Sequence, residues 1–189
     1  MTIAVIIPVL NEARGIGHTL SRTATLGFDE LVIVDGGSSD QTCAVVESQT
    51  VHLQNRPCSG PAPTSPTIRL LKAPAGRARQ LNAGAAASRC EVFLFLHADT
   101  QLPSNARQAI ATTLSDQACV GGRFDVRFDS PRPIARLVGH MMNLRSRWSG
   151  IATGDQALFV RREVFERIGR FAEIPLMEDI EFSRRLKRA

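Results

Sequence analysis

Three groups of side chains in this sequence stand where they could act on a bound molecule. His97 and Asp99 follow directly on the apolar run Val92-Phe93-Leu94-Phe95-Leu96. Asp35 ends a second apolar run and precedes Gly36-Gly37-Ser38-Ser39-Asp40, while Arg77 and Arg79 follow Ala75-Gly76 at the head of a stretch of small residues. A short, continuous apolar run reads as a buried strand. In an open parallel sheet ligands lie outside the carboxyl ends of the strands, so His97 and Asp99 are aimed at a crevice. Carboxylates in such a crevice can hold a cation or take a proton, arginines can grip phosphate, and glycines let a ligand approach the backbone.

Each group also has a plainer reading. Asp99 could cap the next helix, but Pro103 and Ser104 lie nearer to that start and suit it better. Asp35 could be an ordinary turn aspartate, since Asp-Gly turns are common; at the tip of the second strand of an α/β unit, an acid is also where ribose or base contacts are made. Arg77 and Arg79 could be solvated residues on a helix face. In a first helical turn, though, positive charge opposes the helix dipole, which makes sense where an anion is to be held against the amide groups.

The elements that would carry these groups alternate. Residues 3–7 read as a first buried strand ending at Pro8, and Pro8-Val9-Leu10-Asn11-Glu12 as a turn with its polar tip at the strand's carboxyl end. A helix is expected over 13–26, weakened by Gly15 and Gly17, then a strand over 28–34 and a helix from Ser38-Ser39-Asp40 to about residue 49. Pro57, Pro61, Pro63 and Pro66 make the stretch between Gln54 and Pro66 a surface loop. A third strand over 67–72 leads to a helix whose Ala78, Leu81 and Ala85 allow close packing on the sheet. After Asp99 come a helix over about 103–114 and a half-buried strand over 119–128.

Residues 131–149 form an amphipathic helix, with Ile134, Leu137, Val138, Met141, Met142 and Trp148 on one face. Such a face usually packs into the core; lying on an anionic membrane surface, or lining a lid over an acceptor, are the alternatives. The turn Gly150-Ile151-Ala152-Thr153-Gly154-Asp155-Gln156 offers a floor for a substrate before a strand over 157–160. A short helix over 162–168 ends at Gly169, and a last helix begins at Asp179, where Glu178 and Asp179 also suit the dipole. Alternating strands and helices through residue 115 predict a doubly wound, mainly parallel α/β sheet flanked by helices, forming one domain over residues 1–189.

The composition narrows the function. With 23 Lys and Arg against 18 Asp and Glu, the chain carries a net charge of +5, nearly all of it as arginine, which favours an anionic substrate or an anionic membrane surface. The basic residues are not interleaved with aromatics, so nucleic acid is not the expected partner. Cys43, Cys58, Cys90 and Cys119 form no Cys-x-x-Cys pair, against a zinc or redox site, and Cys90 and Cys119 are expected to be inert core thiols. The N-terminus has neither a basic region nor a cleavage site, and its apolar run is too short to span a bilayer, which predicts a cytoplasmic protein. The dinucleotide and P-loop glycine patterns are both missing.

Taken in order, Ile6-Ile7-Pro8-Val9-Leu10-Asn11-Glu12, Val34-Asp35-Gly36-Gly37-Ser38-Ser39-Asp40-Gln41-Thr42, Gly76-Arg77-Ala78-Arg79-Gln80-Leu81-Asn82-Ala83-Gly84, His97-Ala98-Asp99 and Glu178-Asp179 resemble a family 2 glycosyltransferase of the GT-A fold. The likeness spans nearly the whole chain and is greatest to small bacterial members of uncharacterised acceptor. It implies a hexosyltransferase-like enzyme with a nucleotide-sugar half at 1–115 and an acceptor and catalytic half at 116–189. Pro8, Asn11, Glu12 and Asp35 would bracket base and ribose, Arg77 or Arg79 would neutralise the diphosphate, and His97, Ala98 and Asp99 would border the donor. Asp99 matches the last acid of the family's Asp-x-Asp motif, which holds Mg2+ or Mn2+ on the diphosphate. Gly154, Asp155 and Gln156 would border the sugar and acceptor, and Asp179, in its pair with Glu178, matches the base of inverting members.

The resemblance has two departures. His97 stands where the family more often has the first acid, and could ligate the metal or form a hydrogen bond instead. The chain also stops at Arg184-Arg185-Leu186-Lys187-Arg188-Ala189, inside an expected helix, where relatives tend to continue; a segment closing over the acceptor is expected to be missing. The acceptor is expected to be a hydroxyl compound, lipid-linked or at a membrane surface, with the protein at the inner face of the membrane. Two other functions use the same features: a sugar nucleotidyltransferase, which would want a glycine-rich, lysine-bearing loop that Pro8 to Arg14 does not offer, and a non-catalytic nucleotide-sugar-binding module.

Overall fold

A computed structural model of the chain describes residues 1–55 and 65–189. The expected proline-rich loop therefore falls mostly outside the described residues. Six strands form one sheet: β1 (Ile3–Val9), β2 (Glu30–Asp35), β3 (Thr67–Lys72), β4 (Val92–Phe95), β5 (Gly121–Gly122) and β6 (Phe159–Arg161). Among the described residues seven α-helices flank it: α1 (Ile16–Thr23), α2 (Thr42–Gln54), α3 (Arg77–Ala87), α4 (Ala106–Thr113), α5 (Pro133–Ser149), α6 (Arg162–Arg167) and α7 (Glu178–Leu186).

The sheet order is β3-β2-β1-β4-β6-β5. The first four strands pair in parallel, and β6 runs antiparallel to both β4 and β5. The chain lays β2 and β3 to one side of β1, then crosses back through α3 to put β4 on the other. The carboxyl ends of β1 and β4 thus flank the point where the winding reverses, which is where an open α/β sheet leaves a crevice.

Alternation along the strands sorts the core. Ile3, Val5, Ile7 and Val9 of β1 point to a layer with Ile16 and Leu20 of α1, Val46 of α2 and Ile110 of α4. Ala4 and Ile6 point to the opposite layer with Ala78, Leu81 and Ala85 of α3, Phe165 of α6 and Phe182 of α7. Phe93, Phe95, Phe165, Phe171 and Phe182 pack there as a connected aromatic group, with centroids from 4.5 to 5.7 Å apart between edge-on and tilted neighbours such as Phe171–Phe182 and Phe165–Phe171. Burial on both faces is why β1, β2 and β4 read as continuous apolar runs.

Three expectations are corrected. The first helix begins only at Ile16, with Gly15 as its N-cap and Gly17 inside it, and a 3₁₀ turn over Ala24–Leu26 replaces its last turn. Of the strand expected over 119–128, only Gly121–Gly122 joins the ladder; Phe124 N instead donates to Gln156 O at 2.7 Å and Val126 N to the Asn143 side chain at 2.8 Å. The apolar face of α5 does not enter the core: Ile134, Leu137, Val138, Met141 and Trp148 are all exposed, because the helix packs through its small and polar side. Gly139 and Ser146 are buried there, and Asn143 exchanges two hydrogen bonds with the Val126 backbone. Among the described residues no helix is long and apolar enough to cross a membrane.

Candidate active site

The turn after β1 and the turn after β2 are tied together by their own polar groups. Asn11 takes the left-handed conformation at φ 58°. Its N–H donates to Ser38 Oγ at 2.9 Å and its side-chain oxygen accepts from Ser39 N at 2.9 Å. Thr42 Oγ1 accepts from Glu12 N at 2.8 Å, and Asp40 accepts from Ala13 N at 3.2 Å. Asp35 is buried, and its oxygens accept from the N–H groups of Gly37 and Ser38 within the same turn. Burial pushes its carboxyl up, but the bonds from Ser38 and Gly37 outweigh that and hold it below its ordinary value.

Beneath these turns lies Gln80 of α3, a residue the sequence reading did not single out. Its amide donates to Val9 O at 2.9 Å and to Val34 O at 2.8 Å, pinning the carboxyl ends of β1 and β2 to the helix. A polar residue inside the otherwise small, apolar stripe of α3 was the available signal. Thr19 does the same for the other strand end, its hydroxyl donating to Ala98 O at 2.5 Å.

A cavity of about 360 Å³ opens at the switch point, lined by Pro8, Glu12, Gly76, Arg77, Gln80, His97, Ala98 and Asp99 among others. A second, of about 290 Å³, shares Asp99 with it and extends past Asp155 to Phe124, Asp125 and Arg127. Asp99 is exposed and stands between the two. His97 is mostly buried, with Nδ1 3.2 Å from Asp155 Oδ1. Desolvation, aided by the Arg77 charge, lowers its pKa despite Asp155, Asp99 and Asp179, so the ring is neutral near neutrality.

Gly154 is the residue on which the site closes. A Cβ there would fall 2.3 Å from His97 Nε2 and 3.5 Å from Asp179 Oδ2. The Gly154 N–H donates to Asp179 Oδ2 at 2.5 Å, joining the turn after α5 to the first turn of α7. Glu178, beside it, is buried with Oε1 in no hydrogen bond, and Arg77 Nε lies 3.7 Å from that oxygen.

Of the residues expected at the site, Pro8, Glu12, Arg77, His97, Ala98, Asp99 and Asp155 line the two cavities, and Gly154 and Asp179 lie beside His97. Asn11 is exposed and Asp35 buried, and both hold the turns through hydrogen bonds of their own. Arg79 turns away to Glu173 at 2.9 Å. Gln156 is fully buried, its side-chain oxygen accepting from Ser146 Oγ at 2.6 Å and from Thr153 N at 3.2 Å, so it shapes the turn and does not border a ligand. Exposed acids beside an arginine, around a cavity where strands end, suit a molecule carrying phosphates and a hydroxyl to be deprotonated.

The family model described as glycosyl transferase family 2 matches residues 4–172. The chain belongs to that family. The match takes in the strand ends and the Gly154 turn and stops before Glu178. Solved structures with the GT-A fold superpose on the chain along most of its length. A mannosyltransferase from Pyrobaculum calidifontis, solved with GDP-Man and Mn2+, is 21% identical with a TM-score of 0.73 and covers 96% of this chain and 50% of its own. S. aureus TarS (residues 1–349) is 18% identical with a TM-score of 0.70, covering 98% and 55%. Glucosyl-3-phosphoglycerate synthase from Mycobacterium tuberculosis, solved with Mn2+ and UDP, is 17% identical with a TM-score of 0.58, covering 87% and 58%. At these identities the likeness is one of fold. In sequence, an uncharacterized protein of Methanocaldococcus jannaschii, MJ1222, is 34% identical over 76 residues, 38% of this chain and 31% of that protein. The chain thus spans about half the length of the structures it matches and less of its sequence relative.

Proposed function

We propose that this chain carries out inverting glycosyl transfer, from a nucleoside-diphosphate sugar to a hydroxyl acceptor. The observation that carries the reading is that Arg77 and Asp99 line the crevice at the switch point and Asp179 is held beside it, through Gly154, which packs on His97. Structures of like fold solved with GDP-Man, UDP and Mn2+ support a nucleotide-sugar donor.

In this reading residues 1–115 take the donor and 116–189 the acceptor. Pro8, Asn11 and Glu12 form the base and ribose edge, and Asp35 shapes it by holding the turn after β2. Arg77, at the amino end of α3, neutralises the diphosphate, while Arg79 is paired with Glu173. Asp179 receives the acceptor's hydroxyl proton as that oxygen bonds to the anomeric carbon; the bond to the diphosphate breaks, and its electron pair leaves with the phosphate. A single base and direct displacement invert the anomeric centre. Glu178 supports Arg77, and Gly154 and Asp155 border the sugar.

A divalent cation, Mg2+ or Mn2+, suits these residues. Asp99 offers an exposed carboxylate whose one side-chain contact among the described residues is Thr100 Oγ1 at 3.4 Å. Neutral His97 is the second candidate ligand once its ring turns from Asp155. Among the described residues no three His, Cys, Asp or Glu side chains are grouped to hold a metal ion, so water and diphosphate oxygens would have to complete its coordination. When bound, such a cation stabilises charge on the departing diphosphate. The acceptor is read as a lipid-linked or membrane-surface hydroxyl compound, with the protein in the cytoplasm at the inner face of the membrane.

The test is calorimetric titration of UDP, GDP and their sugars with and without Mn2+, combined with turnover of radiolabelled donors. One donor is expected to bind in the presence of Mn2+ and to hydrolyse slowly without acceptor. Asp99→Ala should remove the Mn2+-dependent part of binding. Asp179→Asn should keep donor binding and lower transfer by about 10²- to 10⁴-fold. Failure of every donor to bind or turn over, with Asp99→Ala silent, would sink the reading; full transfer by Asp179→Asn would remove Asp179 from the mechanism.

A further inference from the structure

Helix α5 packs with its small and polar side inward and its apolar side toward solvent. Ile134, Leu137, Val138, Met141, Leu144 and Trp148 are 61, 56, 44, 56, 50 and 91% exposed. They fall at i, i+3, i+4, i+7, i+10 and i+14, which is one continuous stripe of a helix. Single apolar residues are ordinary on a surface, but a contiguous stripe of six marks a docking face.

The charges beside the stripe identify what it fits. From Pro131 to Ser149 the chain carries Arg132, Arg136, His140, Arg145 and Arg147, and no acidic residue. All four arginines are exposed. At the carboxyl end of the helix, Lys187 Nζ donates to Ser149 O at 2.8 Å, which brings the basic end of α7 to the Trp148 end of the stripe. A second copy of this face would set arginine against arginine, so the surface is not self-complementary. Arg147 is paired with Asp125 of the segment packed beside the helix, which leaves Arg132, Arg136 and Arg145 as its unpaired exposed cations among the described residues. A stripe of aliphatic residues with tryptophan, on a helix with arginines and no acid of its own, matches the boundary of an anionic bilayer. There the apolar groups enter the acyl edge, arginines meet lipid phosphates, and tryptophan sits at the headgroup level.

We propose that α5 docks this protein on an anionic lipid bilayer through that stripe. The inference stands on the helix alone. A consequence, resting on the glycosyl-transfer reading, concerns the acceptor. The groove between α5 and Asp125 to Phe128 shares those residues with the cavity beyond Asp99, so docking would bring the acceptor side of the cleft to the lipid surface.

The sequence supplies its own probe. Trp148 is the one tryptophan and there is no tyrosine, so intrinsic emission reports this face alone. The full chain is titrated with phosphatidylglycerol-containing vesicles and, separately, with pure phosphatidylcholine vesicles. With phosphatidylglycerol, Trp148 emission should shift to the blue and be quenched by lipids brominated high in the acyl chain. Phosphatidylcholine should have little effect, and added salt should reverse the binding. Leu137→Glu with Leu144→Glu, and Arg136→Glu with Arg145→Glu, should each lower partitioning on the order of tenfold or more without moving the thermal midpoint, since all four side chains are exposed. Emission unmoved by phosphatidylglycerol overturns the proposal. If sedimentation then finds a dimer that the leucine variant dissociates, the face is a contact between copies instead.

Discussion

The carboxylate of Asp179 is held by the backbone of Gly154, whose N–H lies 2.5 Å from Oδ2. Nothing larger than hydrogen fits at position 154, because a Cβ would meet His97 Nε2 at 2.3 Å and Cε1 at 2.6 Å. Three sequence-distant pieces, the end of β4, the turn after α5 and the start of α7, are thus fixed by one glycine. Gly154→Ala should push His97 or the turn aside and move the donor to Asp179. Overpacking of this kind costs about 1–3 kcal/mol of stability. Transfer should fall further than donor affinity if Asp179 is the base proposed above. Paired measurements of donor affinity by calorimetry and of transfer rate check this; equal losses in both would mean that Gly154 serves the donor and not Asp179.

Glu178 and Arg77 form a lopsided pair, one side chain 6% exposed and the other 52%, with 3.7 Å between Oε1 and Nε. The buried carboxylate oxygen has no hydrogen bond of its own, so the arginine is its compensation and it is the arginine's anchor. Arg77→Ala and Glu178→Gln should both weaken donor binding while leaving the rate from bound donor closer to the parent value. Because the two act as a unit, the double variant should lose less than the sum of the singles, with a coupling of at least ~0.5 kcal/mol. A double-mutant cycle on donor affinity reads this directly, and strict additivity would uncouple them.

Acid should unfold this protein in two stages. His97 has a folded pKa below its ordinary 6.5, chiefly through desolvation, so between the two values the unfolded chain binds more protons than the folded one. Stability is therefore full above 6.5 and declines as pH falls through the folded pKa. Asp35, Asp40 (held down by the Thr42 hydroxyl) and Asp125 (held down by Arg123) lie below their ordinary 3.8, and remove stability only as pH falls under that value. Urea unfolding across this range should give a first slope that His97→Gln removes and a steeper second slope that it leaves. Persistence of the first slope in His97→Gln would assign it to another group.

Much of the donor side was legible because it is built from local rules. Continuous apolar runs ending in polar residues gave β1, β2 and β4 to within a few residues, and parallel winding then put Pro8 and Asp99 on one edge. What could not be read depends on burial. Asp35 and Gln156 look like ligand groups in sequence, yet both are buried with side-chain oxygens engaged by their own turns and, for Gln156, by Ser146 of α5. The stripe on α5 has the periodicity of a core helix, and periodicity gives the angle between faces without saying which one turns inward. Asn143, Ser146 and Gly139 decide that, by bonding and close contact with residues 126 and 156, a pairing no local pattern contains.

The small-residue stripe of α3 gives a final prediction. Gly84 sits against the sheet so closely that a Cβ would fall 2.5 Å from Ile6 Cγ2 and 3.0 Å from Val34 Cγ2. Both neighbours are β-branched residues in central strands, wholly buried and unable to turn aside. Gly84→Ala gains up to about 1 kcal/mol of helix propensity, and overpacking costs about 1–3 kcal/mol. The cost wins because relief requires α3 to lift, and lifting α3 also draws Gln80 from the carbonyls of Val9 and Val34. The variant should lower the thermal midpoint by a few degrees, at roughly 2–4 °C per kcal/mol for a chain of this size. It should also weaken donor binding, since Arg77 rides on the same helix. A variant as stable as the parent would mean that propensity, not fit against the sheet, governs position 84.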